Sequence, residues 1–165
     1  AGHKVWWYYA CDQKAPYANA FTECQPIEQR LLMGAKAARW RPEGFLYYQI
    51  AYFNSLDCIT SGPYTKWSPR SWWREHGDAT WVAVGPEGMP LSTLRFENFR
   101  DGVEDLWYAE LLRKKLEAAP SAPWAAKAKE LLAVPRSVVD TLENYTDDAD
   151  AVYRWRNAMA DILSL

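Results

Sequence analysis

The chain has 165 residues, enough for one ordinary domain, and its 19 Lys and Arg stand against 21 Asp and Glu for a formal charge of −2. That balance leaves no basic stripe for a phosphate backbone and argues against a nucleic-acid partner. No apolar run approaches the roughly 18 residues of a membrane span, and ten Trp with ten Tyr supply both core packing and flat faces on which a sugar ring can stack.

Lys4–Ala10, KVWWYYA, is a β-branched and aromatic run without clean alternation, which predicts a strand buried on both faces of a parallel sheet. Thr22-x-x-Gln25 resembles a capping box and Pro26 suits a first turn. Ile27, Leu31, Ala35 and Ala38 then recur opposite Glu28, Arg30, Lys36 and Arg39, predicting an amphipathic helix over about 23–40. Arg41-Pro42-Glu43-Gly44 breaks it, and Phe45–Phe53, FLYYQIAYF, predicts a second buried strand. Strand, helix and strand in this order imply a right-handed crossover with the two strands parallel.

A loop of about 26 residues follows, long enough to suggest a functional segment or lid, and it carries Tyr64, Trp67, Trp72, Trp73 and His76. Thr80–Val84 reads as a further strand and Gly85-Pro86-Glu87-Gly88 as a turn. Ser92 then caps a long helix whose apolar face is Phe99, Val103, Leu106, Leu112 and Leu116, with Gly102 a mild interruption. Pro120 and Pro123 end it. Two or three shorter helices are predicted, at Trp124–Ala133, Ser137–Tyr145 and Asp147–Leu163, the last with Val152, Trp155, Met159 and Ile162 at helical spacing. The expected whole is two or three parallel strands with helices, then a helical tail.

Cys11, Cys24 and Cys58 lack the paired spacing of a zinc site; they read as structural thiols, with a Cys11–Cys24 disulfide as the alternative in an oxidising compartment. Asn144-Tyr145-Thr146 matches the glycosylation acceptor pattern and supports a secreted or extracytoplasmic location. Ala1-Gly2-His3-Lys4 has neither an initiator Met nor an apolar leader, so the expectation is a processed or excised piece.

Three segments carry a family resemblance: VWWYYAC at 5–11, GFLYYQIAYF at 44–53 and, most specifically, PLSTLRFENFRDGVEDLWYAELL at 90–112. They resemble the C-terminal region of glycoside hydrolase family 123, also known as domain of unknown function 4091, over roughly residues 4–118. The resemblance implies an α/β fold, the C-terminal part of a (β/α)8 barrel over 1–118 with a helical tail over 119–165. A complete barrel usually needs roughly 250 residues. The implied activity is hydrolysis of terminal N-acetylgalactosamine with no metal or other cofactor. In that chemistry the sugar's acetamide oxygen attacks the anomeric carbon while an adjacent Asp-Glu pair orients the acetamide and protonates the leaving oxygen.

No Asp-Glu dipeptide occurs in this sequence. Glu104-Asp105 has the reverse order and falls in mid-helix, where a structural charge network is the favoured reading, so no catalytic residue is assigned. The family commonly has Tyr-Trp followed by Asn in the second strand; here Tyr47-Tyr48 and Ala51 stand instead, which bears on the sugar that is bound.

Barrel active sites gather at the C-terminal ends of the strands. The sugar-binding candidates are therefore Tyr9 and Asp12 after the first strand, with Cys11 between them, and Gln49 and Tyr52 after the second, with Asn54 nearby. Trp67, Trp72 and Trp73 in the long loop are candidates for stacking, against the alternative that they merely anchor the loop, and His76 is a weaker polar candidate. Arg95, Glu97, Arg100, Asp101, Glu104 and Asp105 are expected to form a buried or half-buried structural network. The expected partners are a glycan ending in N-acetylhexosamine and the remainder of the barrel or another protein chain covering the strand edges. The rival functions are a non-catalytic remnant that binds a glycan or protein, and a structural module whose tail docks another subunit.

Overall fold

The structure, a computed structural model, describes residues 2–10, 12–20, 24–51, 80–85 and 89–165. It has mixed helix and strand content with two small sheets and no closed barrel among the described residues.

The first aromatic run forms β1 (Trp6–Tyr9). The predicted helix then appears as two pieces, α1 (Pro26–Met33) and α2 (Ala35–Trp40), separated at Gly34. Gln25 precedes Pro26 as the N-cap, and the Glu28 carboxylate accepts from the Gln25 amide at 3.0 Å, supplying the acidic half of a capping box. Arg41, in the left-handed region at φ 54°, ends α2 by returning its N–H to Ala37 O at 2.8 Å. β2 (Gly44–Tyr47) then pairs with β1 in parallel, Trp6 opposite Gly44 through Tyr9 opposite Tyr47.

β3 (Val82–Val84) corrects the expectation of a third parallel strand, for it pairs antiparallel with β4 (Pro90–Ser92). The reason is the short connection, closed by Gly85 N–H donating to Met89 O at 2.7 Å; a hairpin spans that distance and a parallel crossover cannot. Ile50 O accepts from both Trp81 N and Val82 N, and Ala51 bridges Thr80, so the hairpin is hung from the chain leaving β2.

α3 (Leu94–Ala118) is capped by Thr93, one residue later than expected: its hydroxyl accepts from Phe96 N at 3.3 Å while Ser92 bonds the Glu97 carboxylate. Gly102 does not interrupt the helix. A Cβ there would lie 2.3 Å from Arg30 O, so the glycine marks the point where α1 crosses α3. α4 (Ala125–Leu132) and α5 (Ala149–Leu163) follow close to their predicted bounds.

The predicted helix over 137–145 is absent. Val139 bridges Tyr145, Asn144 O accepts from Asp140 and Thr141 N, and the Thr141 hydroxyl takes the amides of Glu143 and Asn144. Short polar side chains have here outcompeted the helical hydrogen-bond pattern.

Two apolar clusters hold these elements. The larger joins Leu31 and Ala35 of the first helices to Leu112 of α3, Leu131 of α4 and Trp155 and Met159 of α5, so residues on both sides of position 118 share one core. The smaller lies under the strands and gathers Leu32 and Trp81 with Tyr9, Phe45, Tyr47 and Phe99. Only one face of the β1–β2 pair is covered: Trp6, Tyr8 and Leu46 on the other are 60 %, 48 % and 45 % exposed, which corrects the expectation of burial on both faces. Two strands alternate like any pleated pair, and among the described residues no second layer lies over that face.

Candidate functional site

The C-terminal ends of β1 and β2 lie side by side, because the parallel register sets Tyr9 opposite Tyr47. Beyond β1 the chain turns sharply and is fastened by side-chain amides. Gln13 Nε2 donates to Tyr8 O at 3.1 Å and its Oε1 accepts from Ala10 N at 3.2 Å, so one carboxamide stands where a neighbouring strand's peptide would bond. Asn19, 1 % exposed, donates from Nδ2 to Ala10 O and Gln13 O at 3.1 and 2.8 Å, while its own N–H reaches Glu28 Oε2 at 3.1 Å. Asn19 thus locks the loop after β1 to α1.

Burial, with the charge of Glu28 nearby, holds the Tyr145 hydroxyl protonated well above the usual tyrosine range. Over the Tyr145 ring, 3.7 Å from its centroid, sits the ammonium of Lys36, which donates to Leu142 O at 2.8 Å. Burial pushes the Lys36 amine down from its ordinary value to about 8, partly opposed by the charge of Glu28. Burial, with Tyr145 beside it, holds the Tyr9 hydroxyl protonated well above the usual tyrosine range. Tyr9 is therefore a neutral hydrogen-bonding group at any ordinary pH. A cavity of about 320 Å³ opens here, and Trp7, Tyr9, Gln13, Tyr17 and Lys36 are among the residues that line it.

Beyond β2 the geometry is aromatic. Tyr47 stacks on Trp81 at 4.4 Å between ring centroids with an 18° interplanar angle, and Trp81 in turn meets Phe99 at 4.7 Å. Trp81 is 2 % exposed and its indole N–H has no hydrogen-bond partner among the described residues. Thr93 Oγ1 donates to Trp81 O at 2.5 Å, and Arg95 reaches Thr80 O at 2.6 Å, so the start of α3 fixes the hairpin against the strand ends.

Of the residues singled out by sequence, Tyr9 lines the cavity and Gln49 is half-buried two positions past β2. Asp12 is exposed in the turn after β1. Tyr52, Trp67, Trp72 and Trp73 lie outside the described residues, as do Cys11, Asn54, Cys58 and His76.

The charged residues of α3 form a surface group and a buried pair, linked by Arg156, which lies 3.9 Å from Glu104 and 3.5 Å from Asp105. Arg100, whose side chain is 58 % exposed, pairs with Glu97, Asp101 and Glu104 at the surface; the expected burial does not extend to Arg100, while Glu97 and Asp101 are half-buried. Arg95 serves the hairpin. Asp105 alone is fully buried, held by Arg30 through Nε–Oδ2 at 2.6 Å and Nη2–Oδ1 at 2.9 Å, with Arg156 at 3.5 Å. Burial raises the Asp105 carboxyl above its ordinary value against the pull of both guanidiniums. Arg30 and Lys36, read from sequence as a solvent face, are buried at 3 % and 2 % exposure because α5 and the segment at 142–145 cover that side.

The sequence does not mark Asn19, and it shows Glu28 and Lys36 only as a polar helix face and Tyr145 only within a glycosylation pattern; their spacing gives no local signal that they meet. Among the described residues no three His, Cys, Asp or Glu side chains converge as a metal site would require.

Comparison with known proteins places this geometry in context. A search for similar curated proteins finds no match. The family model described as glycoside hydrolase 123, catalytic domain, matches residues 1–112, which takes in both parallel strands, the hairpin and most of α3. The matched stretch is well over half of the 165 residues, and the chain therefore belongs to the glycoside hydrolase 123 catalytic domain family.

Proposed function

We propose that the chain is part of a glycosidase that hydrolyses terminal N-acetylhexosamine, N-acetylgalactosamine in the first instance, by the substrate-assisted route. The family match over residues 1–112 carries this reading, and the adjacent ends of two parallel strands support it. The strand pair belongs in this reading to the C-terminal part of a (β/α)8 barrel over 1–118, with 119–165 packed against it as a helical tail. Tyr9, Asp12, Gln49 and Tyr52 then face the sugar, and Trp67, Trp72 and Trp73 stack on it. The Asp-Glu pair that orients the acetamide and protonates the leaving oxygen lies outside these 165 residues, since no such dipeptide occurs among them. Secretion to an extracytoplasmic compartment, where glycans are met, completes the proposal.

Tyr9 supplies a neutral hydroxyl to a sugar oxygen in this scheme, and its burial keeps it from ionising and repelling the catalytic carboxylates. The exposed face of Trp6, Tyr8 and Leu46 favours a second reading, a remnant that binds a glycan or a partner chain without hydrolysis. In the first reading the rest of the barrel covers the strand edges.

Purified chain incubated with a chromogenic N-acetyl-β-galactosaminide tests the assignment of the carboxylates. No turnover above background is expected. Turnover that disappears in Glu104→Gln would show that the acid lies on α3 after all.

A further inference from the structure

The chain beyond the family match, which ends at residue 112, reaches back toward β1 through the segment at 138–146. This stretch is closed on itself. Thr146 N–H donates to Val138 O at 2.9 Å, the amides of Asp140 and Thr141 reach Asn144 O, and the Thr141 hydroxyl takes the amides of Glu143 and Asn144. From outside it is gripped by two cations of α2: Lys36 donates to Leu142 O at 2.8 Å, and Arg39 Nη1 donates to Val139 O at 2.9 Å. Bonds from charged groups to main-chain carbonyls are strong and fix backbone, so the turn is set firmly against α2.

Toward β1 the same turn presents two side chains. The Tyr145 ring packs against the cluster under the strands, in company with Tyr9, Ala18 and Ala20, and against the larger core as well. Glu143 accepts the hydroxyl of Tyr17, a residue 126 positions earlier in the chain. Tyr17 belongs to the loop after β1, where its N–H donates to Lys14 O at 3.1 Å. That loop begins with Asp12 and ends at Asn19, which ties it to α1 through Glu28. One end of the loop is thus fastened to α1, and its middle is fastened to the tail.

We infer that Glu143 is a positioning residue of the sugar site: acting through Tyr17, it holds the loop after β1 so that Asp12 stands beside Tyr9 at the strand end. The inference rests on the glycosidase reading above for what is bound there. Glu143 touches neither the sugar nor the reacting atoms. Tyr17 is 42 % exposed and Glu143 is exposed as well, so the bond between them adds little to the stability of the core. Losing it frees a loop and leaves the helices packed, which separates positioning from a structural role.

The test is amide chemical-shift mapping of the unaltered chain, Glu143→Ala, Tyr17→Phe and Glu143→Gln, each free and during titration with N-acetylgalactosamine. Glu143→Ala is expected to move the signals of Asp12 and Gln13 in the free chain, with α5 silent and the melting temperature unchanged. Sugar affinity is expected to fall about three- to tenfold, the effect of one lost hydrogen bond. Tyr17→Phe removes the same bond from the other side and is expected to do the same. Glu143→Gln, whose amide oxygen still accepts from the Tyr17 hydroxyl, is expected to restore both readouts. Signals of Asp12 and Gln13 that stay in place in Glu143→Ala and Tyr17→Phe would overturn the inference, as would an unchanged affinity when they move, or a Glu143→Gln that restores neither. An unaltered chain that binds no N-acetylgalactosamine, while Asp12 and Gln13 still respond to Glu143→Ala, would instead support the hold on the loop and count against the glycosidase reading.

Discussion

Two buried cations sit within two helical turns of each other, and they predict opposite responses to mutation. Arg30 has its counter-ion in Asp105, so Asp105→Asn should cost about 3–5 kcal/mol by leaving the guanidinium short of a partner, measured by urea unfolding. Arg100→Ala should leave the same unfolding curve unchanged, because its guanidinium is exposed and its three carboxylate neighbours remain in contact with water. A large loss at Arg100 would mean that α3 is rotated from its assigned face.

Lys36 behaves in the other direction. Its folded-state value, about 8, lies below the ordinary 10.5, so between these values the unfolded chain binds more protons than the folded one. Stability therefore rises with pH across that window. The penalty is fully present below pH 8 and amounts to something on the order of 3 kcal/mol. Lys36→Met should raise stability at pH 7 and abolish the rise between pH 8 and 10. Tyr9 and Tyr145, held protonated by burial, set the upper end, since stability falls once unfolded tyrosine ionises. A flat profile in the unaltered chain would contradict the burial of Lys36.

At the scale of elements, the crossing of α1 and α3 depends on a missing side chain. Ala has the higher helix propensity by about 1 kcal/mol, yet Gly102→Ala would press a methyl against Arg30 O and should destabilise by roughly 1–3 kcal/mol. Stabilisation in thermal melts would show that the helices do not approach so closely. The sequence displays Gly102 only as a weak point in a helix; what it accommodates is a backbone some seventy positions away, which no local pattern encodes. The parallel strands were legible because Lys4–Ala10 and Phe45–Phe53 concentrate β-branched and aromatic residues, although β2 ends at Tyr47, short of the predicted run. α5 was legible for the same kind of reason, Val152, Trp155, Met159 and Ile162 repeating at helical spacing and all proving buried. The segment at 137–145 was misread because Val138, Val139 and Leu142 mimic a helical face, while the deciding bonds come from the Thr141 hydroxyl and the Asn144 carbonyl. Lys36 and Arg30 were misread because periodicity assigns charge to solvent and cannot foresee a later segment folding over it.

For the whole molecule, the proposed sugar site is one end of the β1–β2 pair. Tyr9 and Gln49 stand there, with the Asn19–Glu28–Tyr145–Lys36 cluster behind β1 and the Tyr47–Trp81–Phe99 stack behind β2. Among the described residues, α4 and α5 close the larger core. We propose that sugar binds at the strand ends and not on the surface of α4 or α5. Amide chemical-shift mapping of the chain during titration with N-acetylgalactosamine tests it most directly. Saturable shifts are expected at Tyr9, Asp12, Gln13 and Gln49, all lost in Tyr9→Ala, with α4 and α5 silent. Shifts confined to α4 or α5, or none at the strand ends at saturating sugar, would contradict it.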